Sequence, residues 1–446
     1  MRTVIIGASH SGIQTALTLK QLCPTMDVII LEKTQDIGFI SSGINFVLTK
    51  KIDDLTQSHS VTPRDLLNHG IVLIRQAEVT SILPKEKQIF YTYSGKTNEN
   101  FNYDFLVLAM GSSQFYLDIS GSELENILTY KNVQESKEAL KVFAKSKEIT
   151  IIGTGYIGME LAYALSGKNK KIHLVEQMDS ILFRYFDKEM VHEVINQLPK
   201  DIKLHMNTSA LAFEGENGKV TQTLLSEGKI HNDAVVVAVN ARPNTTLVED
   251  FLEFNLDGTV VVNEFLQTKY QNIYAVGDLI SVPLQGTEIS IYMPLVNNAI
   301  RTGIVAAENI VYRNKIKLQS TQKTSVTRLG SYYLARTGLT QEEAPYYGKE
   351  VIAVADNFKD YGLENEFSKN PVLKLIFEKK GLKLIGAQYV SKFPRLELIN
   401  LLANAIQKNE TALTLSQMEA FFNPLFSNPL HYIQQLALQA LVNNNE

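Results

Sequence analysis

Two glycine-rich segments carry residues whose types and spacing could bind phosphates. The first runs Gly-Ala-Ser-His-Ser-Gly at residues 7–12, and the second runs Gly-Thr-Gly-Tyr-Ile-Gly at residues 153–158. Glycine permits a tight turn, and a helix that begins there directs free N–H groups at a phosphate. Glu32 and Glu176 follow after roughly 20 residues, where an acid accepts hydrogen bonds from ribose hydroxyls. Two such turns predict two bound dinucleotides.

The first turn departs from the simple three-glycine pattern. Gly7 permits the bend and Gly12 lets helix and strand pack closely, but Ser9 replaces the middle glycine. A structural turn beside a solvated Glu32 is the alternative interpretation. The surrounding strand, helix and strand favour a nucleotide site.

The second turn has all three glycines, Gly153, Gly155 and Gly158. The acid after it, Glu176, favours NADH, because a 2′-phosphate beside a carboxylate would be repelled. The next residues, Gln177 and Met178, supply no arginine to offset that repulsion. A turn that has lost its ligand is the alternative.

These turns require a strand before them and a helix after them. The sequence predicts a strand at residues 2–6, a helix from about 11 to 22 and a strand at 27–31, and it repeats this plan with a helix at 157–165 and a strand at 171–175. This alternation indicates an α/β fold. From about residue 316, segments such as 374–377 and 384–390 predict a mainly antiparallel sheet with later helices.

One further strand ends in a carboxylate. Residues 273–278 read Ile-Tyr-Ala-Val-Gly-Asp, and Asp278 could hydrogen-bond the ribityl chain that FAD has and NAD lacks. Taken alone, Asp278 is more ordinary as a helix N-cap or a solvated turn residue. Together with the first turn it favours FAD.

Composition limits the possible partners. The chain has 446 residues, 45% of them hydrophobic and 20% charged, with a net charge of -4. We therefore expect a multidomain protein that binds neither nucleic acid nor membrane, acts in the cytoplasm and takes a small-molecule substrate. Because Cys23 is the only cysteine, we expect no intramolecular disulfide, no cysteine-rich metal site and no bound metal.

The order of residues 7–12, 109–111, 153–160 and 275–278 resembles the FAD- and NAD-dependent pyridine nucleotide-disulfide oxidoreductases over essentially the whole chain. The tail at 421–426, followed by Pro429 and Tyr432, is similar to the branch of NADH peroxidases and water-forming NADH oxidases, with coenzyme A disulfide reductases as relatives.

The resemblance implies an α/β fold with two Rossmann-like dinucleotide-binding domains and a C-terminal α+β dimerisation domain. The FAD domain would be discontinuous, at 1–112 and 244–316, with the NAD domain at 113–243 inserted in it. The region at 317–446 would form a homodimer interface and contribute to the partner's active site.

The resemblance also implies roles for individual residues. Catalytic roles fall on His10 beside the redox centre, on Ser42, on Tyr156 covering the flavin, and on Glu160 orienting the nicotinamide amide. A polar turn residue is the alternative for His10, and a surface charge for Glu160. The FAD contacts would be Gly7, Ser9, His10, Gly12, Glu32, Lys33, Ser41, Ser42, Val79, Ala109, Gly111, Asp278 and Val296. The NADH contacts would be Gly153, Gly155, Tyr156, Ile157, Gly158 and Glu176.

The sequence departs from this family at its redox centre. The family's Phe-Leu-Ser-Cys-Gly segment reads Phe-Ile-Ser-Ser-Gly at residues 39–43, so Ser42 occupies the cysteine position. Serine can form neither a sulfenic acid nor a mixed disulfide.

Cys23 is predicted to be a small buried residue at the far end of the first helix. Ile300 replaces the family's arginine near His10, and one helical step turns Arg301 away from that place.

We therefore expect NADH to reduce FAD and the flavin to pass electrons directly to a small acceptor, either oxygen, giving hydrogen peroxide, or a quinone-like oxidant. Two alternatives remain open: a redox sensor that binds FAD and NADH, and a disulfide or persulfide reductase that uses a substrate thiol. A serine hydrolase is set aside, because no strand-Gly-x-Ser-x-Gly-helix segment surrounds Ser42.

Overall fold

A computed structural model describes residues 1–114, 117–239, 241–358, 371–425 and 427–444. The first region alternates strands and helices and includes an antiparallel three-stranded unit at Ala77–Leu83, Gln88–Tyr93 and Lys96–Asn102. Its elements are β1 (Arg2–Ile6), α1 (His10–Leu22), β2 (Asp27–Glu32), α2 (Gly43–Leu48), α3 (Pro63–Asn68), β3 (Val72–Arg75), β4 (Ala77–Leu83), β5 (Gln88–Tyr93), β6 (Lys96–Asn102), β7 (Phe105–Leu108) and β8 (Ser112–Gln114).

The second region repeats the strand–turn–helix–strand plan. Its elements are β9 (Ile127–Leu128), α4 (Val133–Lys145), β10 (Glu148–Ile152), α5 (Tyr156–Leu165), β11 (Lys171–Val175), α6 (Lys188–Asn196), β12 (Ile202–His205), β13 (Ala210–Glu216), β14 (Lys219–Leu225), β15 (Lys229–His231), β16 (Ala234–Val237) and β17 (Ala241–Pro243).

The third region contains a long helix and then an antiparallel sheet with helices after it. Its elements are β18 (Ile273–Ala275), β19 (Val282–Pro283), β20 (Ser290–Ile291), α7 (Val296–Tyr312), β21 (Ser325–Leu329), β22 (Tyr332–Gly338), β23 (Val351–Asn357), β24 (Val372–Glu378), β25 (Leu384–Ser391), α8 (Glu397–Gln407), α9 (Ala412–Ser416) and α10 (Tyr432–Asn443).

Two five-stranded parallel sheets form the two repeats. The first has the order β18-β7-β1-β2-β3, and the second has the order β12-β11-β10-β16-β9. The central strands are buried on both faces, as the Thr-Val-Ile-Ile run of β1 shows, because both faces of the sheet are covered by other elements. The α/β fold with two Rossmann-like units is confirmed.

The position of β18 joins distant parts of the chain. This strand pairs in parallel with β7, and β7 pairs with β1, so residues near 275 complete the sheet that residue 2 begins. Helix α7 lies close against α1, where a Cβ built on Gly303 would stand 2.7 Å from the carbonyl oxygen of Ser11. Glycine is therefore required at this crossing.

The third sheet is antiparallel throughout, in the order β21-β22-β25-β24-β23, and helices follow it, as the sequence predicted. Buried polar groups fasten it to the second repeat. Lys374 Nζ on β24 lies 2.8 Å from Asp187 Oδ2, and both side chains are almost fully buried. Among the described residues, no helix is long and apolar enough to span a membrane.

Candidate active site

The first glycine turn is shaped by close backbone contacts. Gly7 has φ +107°, and a Cβ there would lie 2.3 Å from the carbonyl oxygen of Ala109. A Cβ on Gly12 would lie 2.0 Å from the carbonyl oxygen of Gly7. Both positions therefore exclude every other residue, and they bring the start of α1 to the ends of β1 and β7.

Glu32 fixes this turn by its carboxylate. Oε2 accepts a hydrogen bond of 2.8 Å from the backbone N–H of Ala8, and Oε1 accepts one of 2.8 Å from the N–H of Thr34. The neighbouring Lys33 is exposed. Glu32 is therefore held at the carboxyl end of β2, beside the start of α1.

The second turn repeats this geometry. Gly153 has φ +102°, and a Cβ on Gly158 would lie 2.0 Å from the carbonyl oxygen of Gly153. Glu176 Oε2 accepts hydrogen bonds from the N–H of Thr154 at 3.0 Å and from its hydroxyl at 2.8 Å. Glu176 Oε1 accepts one from the N–H of Met178 at 3.0 Å. The two turns are thus equivalent in structure as well as in sequence.

The residues predicted to contact FAD occupy several elements. Ala109 and Gly111 follow β7, Asp278 follows β18, and both strands end at the same sheet edge as β1. The carboxyl ends of parallel strands are where such sheets bind ligands. Val79 is buried in β4, whereas Val296 opens α7 and is 50% exposed. Ser41 and Ser42 directly precede α2.

Asp278 takes part in a polar cluster that sequence reasoning missed. Its Oδ2 accepts a hydrogen bond of 2.6 Å from the Ser112 hydroxyl and lies 3.4 Å from Lys131 Nζ. Lys131 also donates to the Ser112 hydroxyl. Lys131 lies 147 residues from Asp278 in the chain, and no spacing or local motif relates them.

His10 is the first residue of α1, and Ser42 is the N-cap of α2. Burial lowers the pKa of His10 below its usual value, and the negative charge of Asp278 partly opposes this effect. The imidazole is therefore neutral at pH 7. The Ser42 hydroxyl makes no capping hydrogen bond to α2, which leaves it available to a ligand.

Two residues were considered as substitutes for missing family residues, Cys23 for the redox cysteine and Arg301 for the arginine near His10. Both side chains lie elsewhere. Cys23 was predicted to be a small buried residue at the far end of the first helix; it is the C-cap of α1, directly before Pro24, but it is partly exposed. Arg301 donates to the carbonyl oxygen of Ser320 at 3.1 Å and to that of Gln319. The expected rotation of Arg301 is thus confirmed.

Tyr156 and Glu160 lie one turn apart on α5, and both are partly buried. The Tyr156 hydroxyl is 2.8 Å from the Ser325 hydroxyl, and its ring packs against Tyr185 with centroids 4.1 Å apart. The alternative of a solvated surface charge at Glu160 is wrong, because Glu160 Oε1 accepts a hydrogen bond of 2.6 Å from Thr327.

Burial also affects how Glu160 ionises. Burial raises the pKa of this carboxyl, and hydrogen bonds from Thr327 and Asn45 partly oppose the rise. Asn45 Nδ2 lies 3.5 Å from Glu160 Oε2. The contacts with Ser325 and Thr327 were not predicted, although two polar residues at i and i+2 of a strand do share one face.

Both turns fit a dinucleotide. Within the described part of the chain, no side chain caps α1 at Ser9 or α5 at Gly155, so their first-turn N–H groups are available to a phosphate. A Cβ on Gly155 would meet only the Tyr185 ring at 3.8 Å, which leaves room for a ligand to approach the backbone. The donor groups, the open backbone and the acids match what two dinucleotides require.

Comparison with known proteins agrees with this geometry. A family model described as pyridine nucleotide-disulphide oxidoreductase matches residues 1–303. A protein of Enterococcus faecalis named NADH oxidase is 29% identical over 449 residues, which cover 99% of this chain and 100% of that protein.

Two solved structures share the whole architecture. A pyridine nucleotide-disulfide family oxidoreductase from Enterococcus faecalis has a TM-score of 0.90 and 31% identity, with 100% of both chains covered. A water-forming NADH oxidase from Lactobacillus brevis, solved with NADH bound, has a TM-score of 0.94 and 24% identity, with 100% of this chain and 99% of that chain covered. At that identity the second likeness shows the fold alone.

Proposed function

The chain belongs to the pyridine nucleotide-disulphide oxidoreductase family, and from this membership we propose that it is an FAD-dependent NADH oxidoreductase that passes electrons to a small acceptor without a redox cysteine. The proposed acceptor is oxygen or a quinone-like oxidant. With oxygen the balanced reaction is NADH + H⁺ + O₂ → NAD⁺ + H₂O₂. The relatives named NADH oxidase support the choice of donor.

The position of Cys23 carries this proposal. It is the only cysteine in the chain, and it caps the end of α1 opposite to the glycine turn. Thirteen residues of helix separate it from the turn, which at 1.5 Å per residue is about 20 Å. Ser42, where the resemblance places the redox cysteine, has no accessible oxidation chemistry. Neither residue can relay electrons through sulfur.

We propose that FAD binds along the first sheet edge and spans the region at 1–112 and 244–316. The N–H groups at the start of α1 would face its pyrophosphate, and Glu32 would accept hydrogen bonds from a ribose. Asp278, held by Ser112 and Lys131, would meet the ribityl chain. Bound FAD would supply the two-electron chemistry, taking electrons from NADH and giving them to the acceptor.

We propose that NADH binds at the second turn, in the region at 113–243. Glu176 keeps lone pairs for the ribose hydroxyls while its hydrogen bonds to Thr154 and Met178 hold the turn. Tyr156 would cover the nicotinamide position and move aside when NADH binds. Glu160, whose Oε1 is fixed by Thr327, would orient the nicotinamide amide.

We also propose that the region at 317–446 forms a homodimer and that the enzyme acts in the cytoplasm, where NADH is supplied. Large apolar side chains are exposed near the end of the chain: Phe421 by 74%, Phe422 by 56% and Leu425 by 45%. Such a cluster is typical of a protein interface. Phe426, which completes the tail motif, lies outside the described residues. Replacing Phe421 and Phe422 with serine should give monomers in analytical ultracentrifugation.

The central test measures the product and the role of the thiol together. Purified protein with FAD is incubated with NADH in air, and peroxide formed is compared with NADH consumed. We expect a ratio near one, and we expect Cys23→Ser to keep the wild-type rate. A ratio near zero, or loss of turnover in Cys23→Ser, would contradict the proposal.

The two alternatives predict different results. A redox sensor would be reduced more slowly than minutes after rapid mixing with NADH, or would not be reoxidised by any acceptor. A reductase acting through a substrate thiol would consume NADH rapidly without oxygen when given coenzyme A disulfide or glutathione disulfide. Menadione in the same anaerobic assay should support turnover under our proposal.

A further inference from the structure

One strand contacts both proposed nicotinamide-site residues of α5. The hydroxyl of Ser325 on β21 lies 2.8 Å from the Tyr156 hydroxyl, and Thr327 donates to Glu160 Oε1 at 2.6 Å. These contacts link segments that are 169 and 167 residues apart in the chain. In each contact a hydroxyl of β21 meets a polar side chain of α5. The later residue of β21 meets the later residue of α5, so the two segments run in the same direction.

The spacing of the two elements explains why both contacts form. Residues four apart on a helix share a face and are separated by about 6 Å along the axis. Residues two apart on a strand also share a face, and they are separated by about 6.6 Å. The pair Ser325 and Thr327 therefore matches the pair Tyr156 and Glu160, while Val326 points to the opposite side and is 54% exposed.

The strand itself is firmly held. Ser325 lies directly opposite Arg336 of β22 in the sheet, and Arg336 is only 1% exposed. The Arg336 guanidinium donates from Nη1 to the carbonyl oxygen of Arg184 at 3.2 Å, next to the Tyr185 ring that packs on Tyr156. Thr327 is 4% exposed. The backbone that carries the two hydroxyls is thus held by its pairing with β22.

We infer that Ser325 and Thr327 are positioning residues for the nicotinamide site, with Ser325 holding Tyr156 in its covering position and Thr327 aiming Glu160. This inference rests on the proposed function. When NADH displaces Tyr156, the hydrogen bond to Ser325 must break, so Ser325 opposes binding. Thr327 favours binding instead, because it orders the Glu160 carboxyl that would orient the nicotinamide amide.

The two neighbours should therefore have opposite effects on nicotinamide affinity. Loss of one hydrogen bond between neutral groups, as between Ser325 and Tyr156, changes an equilibrium by about fivefold, and loss of one to a carboxylate by at least as much. We expect Ser325→Ala to bind NAD⁺ about fivefold more tightly and Thr327→Val to bind it about fivefold more weakly. Ser325→Thr and Thr327→Ser keep the hydroxyls and should behave like the wild type. Val326→Ala, on the other face of the same strand, is the matched control and should change nothing.

The experiment is calorimetric titration of the FAD-loaded protein with NAD⁺, which binds without reducing the flavin. Tyr156→Phe should tighten binding as much as Ser325→Ala does, and the double variant should add nothing further. Independent effects of the two substitutions would overturn the role of Ser325. If Thr327→Val and Thr327→Ser bound NAD⁺ with equal affinity, the proposed role of Thr327 would be overturned.

A second measurement does not depend on binding or turnover. Hydrogen–deuterium exchange at the start of α5 should rise in Ser325→Ala and stay unchanged in Val326→Ala, because only the first loosens Tyr156. Unchanged exchange in both variants would overturn the inference. Failure of the wild type to oxidise NADH would instead contradict the proposed function and leave this exchange test standing.

Discussion

The Glu176 carboxylate accepts hydrogen bonds from both the backbone N–H and the side-chain hydroxyl of Thr154. One side chain thereby fixes the shape of the second glycine turn and places a negative charge at its rim. The backbone part of this arrangement recurs at the first turn, where Glu32 accepts from the N–H of Ala8. Each acid therefore has a structural role in addition to any contact with a ribose.

Glu176→Gln should separate these two roles. The amide oxygen of glutamine can still accept a hydrogen bond from Thr154, but the charge that repels a 2′-phosphate is gone. We expect the preference for NADH over NADPH, measured as the ratio of kcat/KM values, to fall at least about tenfold. Asp179→Asn, which removes the nearby acid that pairs with Lys188, is the control. An unchanged ratio in Glu176→Gln would show that this acid does not set the preference.

Two glycines of the second turn should respond differently to alanine. A Cβ on Gly158 would collide with the carbonyl oxygen of Gly153 at 2.0 Å, whereas a Cβ on Gly155 meets nothing closer than 3.8 Å. We expect Gly158→Ala to lower stability by about 2 kcal/mol or more. Gly155→Ala should keep the wild-type melting temperature and weaken NAD⁺ binding by about tenfold, because it fills the space beside the backbone. Thermal melting and calorimetry check the two effects, and equal melting temperatures for both variants would contradict this account.

His10 should stay neutral at physiological pH. Burial lowers its pKa, and the charge of Asp278 raises it, so removal of that charge in Asp278→Asn should lower the pKa further. The measurement is NMR titration of ¹⁵N-histidine-labelled protein, with the His10 signal assigned by its loss in His10→Gln. A midpoint above the usual value near 6.5 would show that burial is not the dominant effect.

The second sheet contains a pair of histidines that should make stability depend on pH. His173 on β11 and His205 on β12 share a hydrogen bond of 2.8 Å between Nδ1 and Nε2. Burial, followed by the charges of His205 and Lys171, lowers the pKa of His173 to about 4. Unfolding exposes a histidine of ordinary pKa, so the unfolded chain binds the extra proton first as the pH falls.

This pair should therefore favour the folded state at neutral pH and lose that effect in acid. Between pH 7 and pH 5 the loss attributable to His173 is about 2 kcal/mol. Melting temperatures measured across this range should fall less in His173→Asn than in the wild type. His192→Asn, at an exposed site on α6, should leave the wild-type slope unchanged. Identical slopes in wild type and His173→Asn would refute the prediction.

The strand–turn–helix units were predictable because their signals are local. The strand at β11 was predicted at the residues it occupies, and α5 begins one residue before its predicted start. Glycine spacing and apolar runs depend on neighbours in the chain, so one sequence suffices to find them.

The long-range contacts that complete the site could not be predicted from the sequence. Ser325 meets Tyr156 across 169 residues, and Lys131 meets Asp278 across 147. Neither pair leaves a periodic signal, because the register between separate sheets is set by packing of the whole chain. The burial expected for Cys23 was also wrong, since this residue is partly exposed at the C-cap of α1.

The pairing of β18 with β7 has a consequence for synthesis of the protein. A ribosome must translate residue 275 before the first sheet can gain its last strand, whereas every strand of the second sheet has been translated by residue 237. The second nucleotide unit, which is inserted in the first, can therefore fold on the nascent chain before the first unit is complete. Chains truncated between residues 240 and 270 and released from the ribosome should give a half-made protein whose second nucleotide unit is protease-resistant and whose first is not.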